Sequence, residues 1–113
     1  MKTEVIQFVG VNKLEALEQD VVNKLTTEYY EKLKRSLNNL TSLIVHVKTY
    51  DVEGSKKKFS IHTRVTAPGQ NFESTKAQDW DLARTLHKSF QDLENQIRHH
   101  MHSDDQKTKY YAK

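Results

Sequence analysis

The first part of the chain passes from a strand-like pattern to a helical one. Residues 4–9 are rich in β-branched and aromatic types and end at Gly10, which predicts a first strand. Asn12 is then suited to cap a helix, because Glu15 lies three residues further on, as in a capping box. Apolar residues recur from there at helical spacing, namely Leu14, Leu17, Val21, Leu25, Tyr29, Leu33 and Leu37. The pattern predicts a first helix directly after the first strand.

The predicted first helix contains two adjacent β-branched residues, Thr26-Thr27. They interrupt the helical pattern, and either hydroxyl is suited to cap a new helix. The helix is therefore either continuous to about Asn39 or broken near these threonines, and we favour one long helix.

The middle of the chain alternates between apolar and polar residues with a period of two, as strands do. One face of the first such segment carries Leu43, Val45 and Val47, and the other carries Ile44, His46, Lys48 and Tyr50. Gly54-Ser55 and then Lys56-Lys57-Lys58 predict a polar loop. Alternation resumes after it, with Phe59, Ile61, Thr63 and Val65 on one face and Ser60, His62 and Arg64 on the other. These two strands are predicted to form a hairpin.

The last part of the chain holds a turn, a strand and a second helix. Pro68-Gly69 predicts the turn, and residues 71–77 predict a short polar strand suited to a sheet edge. Asp79 or Asp81 is suited to cap the second helix. Its apolar positions are Leu82, Leu86, Phe90, Leu93, Ile97 and Met101. Residues 103–113 have lost this periodicity, so we expect them to form a flexible basic tail.

The predicted order is β-α-β-β-β-α, which indicates an α+β fold. We expect the two helices to bury their apolar stripes on one face of a four-stranded sheet and the other face to be wet. A chain of 113 residues suffices for one hydrophobic core. We therefore assign residues 1–102 to a single domain and residues 103–113 to its tail.

Composition narrows the class of function. The net charge of +3 is mildly basic, and the absence of cysteine fits a reducing compartment. No apolar run reaches the length of a signal sequence or membrane span, so we expect a cytoplasmic protein with no membrane partner. The chain has no glycine-rich phosphate loop, no nucleophile elbow and no conspicuous acid pair. We therefore predict no catalytic residues, no cofactor and no small-molecule substrate, which means that the protein is not an enzyme.

The outer face of the predicted second helix is the main candidate for binding. At 100° per residue, the apolar stripe lies opposite Arg84, Lys88, Gln91, Asn95, Arg98, His99 and His102. No acid from the helix falls in the middle of this stripe, so it forms a positive track of the kind that lies against phosphates. An ordinary solvated helix face would look similar.

Two other features leave alternatives open. His46, Lys48, His62 and Arg64 on the exposed sheet face either clamp an RNA backbone or keep the sheet soluble. His99 and His102 are three residues apart, so they can share a helical face, and this spacing suggests the hypothesis of a metal site. Two imidazoles do not complete a tetrahedral zinc shell, and a helix C-terminus favours histidine independently, so we predict no metal site.

Several segments resemble the ribosome hibernation promoting factors, also called ribosome-associated inhibitor or sigma-54 modulation proteins. Glu31-Lys32-Leu33-Lys34-Arg35, with Leu37 and Leu40, is similar to the basic end of that family's first helix. Residues 59–77, with Pro68-Gly69 at the turn, match its third and fourth strands. The run Asp81-Leu82-Ala83 with Leu86, Phe90, Leu93, Gln96 and Ile97 is similar to its second helix.

The resemblance implies binding to the small ribosomal subunit and its rRNA, in the channel for messenger and transfer RNA. Such a protein silences idle ribosomes as part of a stress response, as a rigid wedge whose cations face phosphates. The contact residues implied by the resemblance are Lys32, Lys34, Arg35, Lys88, Arg98 and His99, and the helical wheel adds Arg84. We expect the short form of the family, a monomer off the ribosome that does not pair ribosomes. The alternative is a protein-interaction module that uses the exposed sheet face or an edge strand.

Overall fold

The computed structural model describes residues 5–54 and 56–111, and their side chains except at 51–53 and 101–111. The elements are β1 (Ile6–Val9), a 3-10 turn (Val11–Lys13), α1 (Ala16–Ser36), β2 (Ser42–Glu53), β3 (Lys56–Ala67), β4 (Gln70–Asp79) and α2 (Leu82–Tyr111). This is the predicted β-α-β-β-β-α order, and the α+β class is confirmed. Glu4, which the prediction placed in the first strand, lies outside the described residues.

The four strands form one sheet in the order β1-β2-β3-β4. β1 runs parallel to β2, so the chain needs a crossover between them, and α1 is that crossover. β2 with β3 and β3 with β4 are antiparallel. The predicted hairpin of the second and third strands is confirmed, and β4 lies at an edge as expected.

One face of the sheet and the inner stripes of both helices form the core. The alternation in β2 and β3 buries Leu43, Val45, Val47, Phe59, Ile61, Thr63 and Val65. α1 contributes Val22, Tyr29 and Leu33 to this core, and α2 contributes Leu82, Leu86, Phe90, Leu93 and Ile97. Both helices therefore cover the same sheet face, as the two hydrophobic periodicities predict.

The start of α1 differs from the prediction. Asn12 lies in the 3-10 turn and does not cap the helix. The N-cap is Glu15, whose backbone N–H donates to the Glu18 carboxylate at 3.1 Å in a reciprocal capping box. The helix begins three residues later than expected, and Leu17, which the helical spacing placed on the inner face, lies in its first turn and is 78% exposed. The capping signal was present in the sequence, but one helical turn further on.

α1 is a single continuous helix, as we favoured. Thr26 is buried on its inner face, and the Thr27 hydroxyl donates to the Asn23 carbonyl at 2.8 Å, within the preceding turn. Both threonines are thus accommodated without a break. The helix ends at Ser36, short of the predicted Asn39, whose φ of 58° lies in the left-handed region.

The polar loop predicted for Lys56-Lys57-Lys58 is wrong. These lysines are the first residues of β3, and Lys58 pairs with Tyr50 of β2 in the antiparallel register. The loop signal from three like charges was overridden by pairing with β2. β4 is also longer than predicted, at ten residues.

α2 begins with Asp81 as its cap, because the Asp81 carboxylate accepts from the backbone N–H of Arg84 at 3.2 Å. The helix continues to Tyr111, beyond Met101, where its apolar spacing ends. The flexibility expected of residues 103–113 stays a prediction. Neither helix, within the part of the chain that is described, has an apolar stretch of the length a bilayer requires.

Candidate nucleic-acid interface

The outer stripe of α2 is exposed, opposite the buried stripe. Its exposed members are Arg84, Lys88, Gln91, Asn95, Arg98 and His99. Inward-facing Leu86, Phe90 and Leu93 are completely buried, which fixes the rotation of the helix about its axis. The side chain of His102 lies outside the described residues. The predicted track therefore faces solvent along the described part of the helix.

An acid that the helical wheel could not reveal lies at the amino-terminal end of this stripe. Asp79, the last residue of β4, is 2.8 Å from the Lys88 ammonium and 3.8 Å from the Arg84 guanidinium. The hydrogen bond from Lys88 lowers the pKa of Asp79, and the backbone N–H of Trp80 contributes to this shift. The two cationic side chains are still 66% and 51% exposed. One carboxylate thus offsets one of two charges at this end.

Arg98 and His99 lie further along α2 and are not neutralised in this way. Arg98 donates to the Asn95 side chain at 3.2 Å, and it forms no ion pair with any of the side chains described in residues 5–50 and 56–100. Both side chains are exposed. The exposed Arg98 guanidinium is therefore accessible to a phosphate.

The basic end of α1 is held in place by aromatic rings. The Lys32 ammonium lies 4.9 Å from the Tyr29 ring centroid, and the Lys34 ammonium lies 5.5 Å from that of Tyr30. Such cation–π contacts orient a lysine without removing its charge. Lys32, Lys34 and Arg35 are all exposed, and a helix C-terminus favours cations. α1 therefore presents three exposed cations in its last turns, of which Lys32 and Lys34 are oriented by aromatic rings.

Tyr29 also connects α1 to α2. Its ring stacks on Phe90 at 4.7 Å between centroids, and its hydroxyl lies 2.6 Å from Nδ1 of His87. Burial raises the pKa of the Tyr29 phenol, so the hydroxyl stays protonated at neutral pH. The stacking on Phe90 and the contact with His87 thus hold α1 and α2 side by side.

The strand directions decide which predicted residues come together. β1, β2 and β4 run the same way, and α1 and α2 both return across them, so both helices end at the same end of the molecule. Tyr29 of α1 contacts Phe90 of α2, so Lys34 and Arg35 lie in the same direction from this contact as Arg98 and His99 do, and α2 continues for twelve residues past His99. Arg84 lies about 21 Å from Arg98 along α2, fourteen residues at 1.5 Å each. The seven predicted residues form two groups and not one uniform track.

The exposed sheet face carries its own partly compensated charges. His46 and His62 are cross-strand partners with ring centroids 6.1 Å apart. Burial, then the charges of Lys48 and His62, lowers the pKa of His46, so this ring is neutral at pH 7. Nε of Arg64 donates to the Glu73 carboxylate at 2.7 Å. These contacts favour the solubility interpretation of this face over an RNA clamp.

The histidines of α2 do not assemble a metal site within the described residues, where no three metal-binding side chains come together. His99 is exposed, and the His100 ring meets Phe72 edge-on at 5.8 Å between centroids. Of the histidines in residues 99–102, His99 therefore faces solvent and His100 contacts the sheet, while the His102 side chain lies outside the described residues.

Sequence reasoning missed Trp80, which is 51% exposed beside the amino terminus of α2. The Lys58 ammonium lies 5.8 Å from its ring centroid. The available signal was that the chain's single tryptophan falls between two aspartates, outside every apolar stripe. A large aromatic in such a position is a candidate contact residue.

Comparison with known proteins identifies the fold. No protein-family model matches the chain, and no curated protein sequence matches it. The crystal structure of the Thermus thermophilus Protein Y N-terminal domain does match, with a TM-score of 0.54 and 18% identity. The match covers 87% of this chain and 98% of that one. The two chains share a fold over nearly the whole of that domain.

Proposed function

We propose that this protein binds the small ribosomal subunit through rRNA phosphates and silences idle ribosomes by occupying the channel for messenger and transfer RNA. The observation that carries the proposal is that two exposed cationic groups, Lys34-Arg35 near the end of α1 and Arg98-His99 midway along α2, lie in the same direction from the Tyr29–Phe90 contact that joins the two helices. The fold shared with the Protein Y N-terminal domain is compatible with this proposal, and the sequence resemblance to the ribosome hibernation promoting factors supports it.

The chemistry of the surface suits phosphate contacts better than base recognition. The cations sit on two helices locked through Tyr29, so they form a rigid array that does not need ordering on binding. Arginine forks match phosphate oxygens bidentately, whereas the stripe contributes few groups able to read a base edge. Affinity then comes mainly from the release of counterions, and it does not depend on a particular RNA sequence.

Charge reversal tests the proposal. Arg35→Glu combined with Arg98→Glu should weaken co-sedimentation with purified small subunits by at least about tenfold at moderate salt. A control with the same change in net charge is Lys24→Glu combined with Lys76→Glu, at exposed positions outside both cationic groups. Equal sedimentation of the reversed variant and the wild type, or equal loss in the control, would contradict the proposal.

A second candidate is a protein-interaction module, favoured by one observation. Phe8 and Val9 are 37% and 45% exposed on the edge strand β1. An exposed edge with apolar side chains can accept a strand from another chain. Binding of this kind should survive Arg35→Glu with Arg98→Glu and should be lost with Phe8→Ser and Val9→Ser, which separates the two functions.

A further inference from the structure

A cavity of about 630 Å³ lies outside the cationic groups described above. It is lined by Glu18, Lys56, Lys57, Phe59 and Trp80. These residues come from the first turn of α1, the start of β3 and the segment just before α2. The volume falls within the range of sites that hold small organic ligands.

One part of the cavity wall is aromatic. Phe59 is 4% exposed, so it belongs to the core and gives the cavity a rigid base. Trp80 is half exposed, and its indole offers a flat face on which a planar ring can stack. Such stacking is the usual way in which proteins hold an unpaired nucleobase, because every base has a π face. The aromatic wall therefore favours a planar ligand.

The other residues that line the cavity, Glu18, Lys56 and Lys57, are charged. Lys57 lies 3.2 Å from the Glu18 carboxylate, and its ammonium is 5.9 Å from the Phe59 ring centroid. Lys56 is exposed at the rim. Glu18 is itself held by the capping box at the amino terminus of α1, the helix end that favours anions. The cavity thus offers the exposed ammonium of Lys56 to a phosphate, beside an ion pair of Lys57 with Glu18 whose carboxylate can also accept hydrogen bonds from hydroxyls.

We propose that this cavity binds a ribonucleotide. The base stacks on Trp80, the phosphate meets Lys56, and the ribose hydroxyls donate to Glu18, which keeps its ion pair with Lys57. The nucleotide is either a free mononucleotide or an unpaired nucleotide of an RNA strand. Binding at this site needs no contact from Lys34-Arg35 or Arg98-His99, so the proposed nucleotide binding does not depend on the proposed ribosome binding. A bound nucleotide is a ligand and not a substrate, in keeping with the absence of predicted catalytic residues.

Trp80 supplies its own probe, because it is the only tryptophan in the chain. The full-length protein is titrated with adenosine monophosphate, with ribose 5-phosphate, which lacks the base, and with a short single-stranded oligoadenylate. Adenosine monophosphate or the oligoadenylate should quench Trp80 fluorescence saturably, and ribose 5-phosphate should not. Saturation by the mononucleotide assigns the site to free nucleotides, and saturation by the oligoadenylate alone assigns it to RNA.

Two variants separate the contributions. Lys56→Ala with Lys57→Ala should weaken binding about tenfold, because the phosphate loses the Lys56 contact and Glu18 loses the ion-pair partner that holds it in place. The matched control is Lys24→Ala with Lys76→Ala, which should bind as the wild type does. Trp80→Leu, followed by calorimetry because the fluorophore is gone, should also lose about tenfold.

Three results would overturn this inference: no quenching by either nucleotide probe, equal binding of ribose 5-phosphate, or unchanged affinity in Trp80→Leu. Circular dichroism of each variant establishes that it is folded before its affinity is compared. Sedimentation with small subunits is a separate measurement, so a failure of ribosome binding is distinguishable from a failure of this site.

Discussion

Phe90 of α2 lies in the core and stacks on Tyr29 of α1, so it contributes directly to the packing of the two helices against each other. Its side chain is completely buried, and its ring lies nearly parallel to that of Tyr29, at an interplanar angle of 9°. Tyr29 in turn carries Lys32 over its ring and meets His87 through its hydroxyl. A core residue thus sets the positions of surface charges on both helices.

Removing the Phe90 ring should destabilise the fold strongly. Phe90→Ala is expected to lower the free energy of unfolding by about 3–5 kcal/mol, because the ring leaves a cavity between elements that cannot collapse together. Urea denaturation followed by circular dichroism measures this loss. Phe8→Ala, at a 37% exposed position, should cost about 1 kcal/mol or less. Similar losses for the two variants would contradict the packing described.

Thr26 offers the opposite case, a polar group in an apolar site. Its side chain is completely buried on α1, and its hydroxyl has no hydrogen-bond partner within the described part of the chain. Thr26→Val keeps the shape and removes the buried hydroxyl, so it should raise the free energy of unfolding by up to about 1 kcal/mol. Thermal denaturation tests this, and a clear loss of stability would reveal a partner for the hydroxyl.

Asp79 makes stability depend on acid. Its pKa is below the ordinary value of 3.8, mainly through the hydrogen bond from Lys88, so its charge stabilises the folded state above that value. This contribution is lost as the pH falls below about 4 and through the lowered pKa. Asp79→Asn keeps an acceptor for the Trp80 N–H but not the charge. Its stability should therefore fall less steeply over this pH range than that of the wild type, as urea denaturation at several acid pH values would measure.

At the scale of elements, the connection from β1 to α1 depends on Gly10. Its φ is +83°, and a Cβ built there would lie 2.3 Å from the Val47 carbonyl oxygen. Only glycine allows the chain to turn while the backbone passes this close to β2. The 3-10 turn Val11–Lys13 follows directly after Gly10, and α1 begins at Ala16.

A pair of glycine variants tests this constraint. Gly69→Ala, at a φ of +74° with open space around the new Cβ, should cost about 1–2 kcal/mol from backbone conformation alone. Gly10→Ala should cost clearly more, because the collision with β2 adds to the same conformational term. Chemical denaturation of both variants gives the difference. Equal losses would mean that the chain near Val47 yields easily.

Hydrophobic periodicity, together with the glycine and proline turn signals, was enough to predict the element order and the hairpin, and it favoured a continuous first helix without deciding between that and a break at Thr26-Thr27. It failed where a second element intervened. Lys56-Lys57-Lys58 lies in β3 because β2 is there to pair with it, and Asp79 reaches the α2 stripe from the end of another element. A helical wheel includes only its own helix, so it could place Lys88 on the outer face but could not show its partner.

At the scale of the whole molecule, the two ends of the sheet have different chemistry. The end of the sheet toward which both helices run carries the exposed basic residues Lys34, Arg35, Arg98 and His99. The end where both helices begin carries Trp80, the lysines of β3 and the acids Glu18 and Asp79. The proposed phosphate contacts belong to the first end, and the proposed nucleotide cavity belongs to the second.

The dependence of small-subunit affinity on salt tests the central claim most directly. Each phosphate neutralised contributes about 0.7–0.9 to the negative slope of log affinity against log salt. We predict a steep slope for the wild type, and a slope shallower by about 1.5 for Arg35→Gln combined with Arg98→Gln. A flat wild-type slope, or one that the double substitution leaves unchanged, would contradict the account.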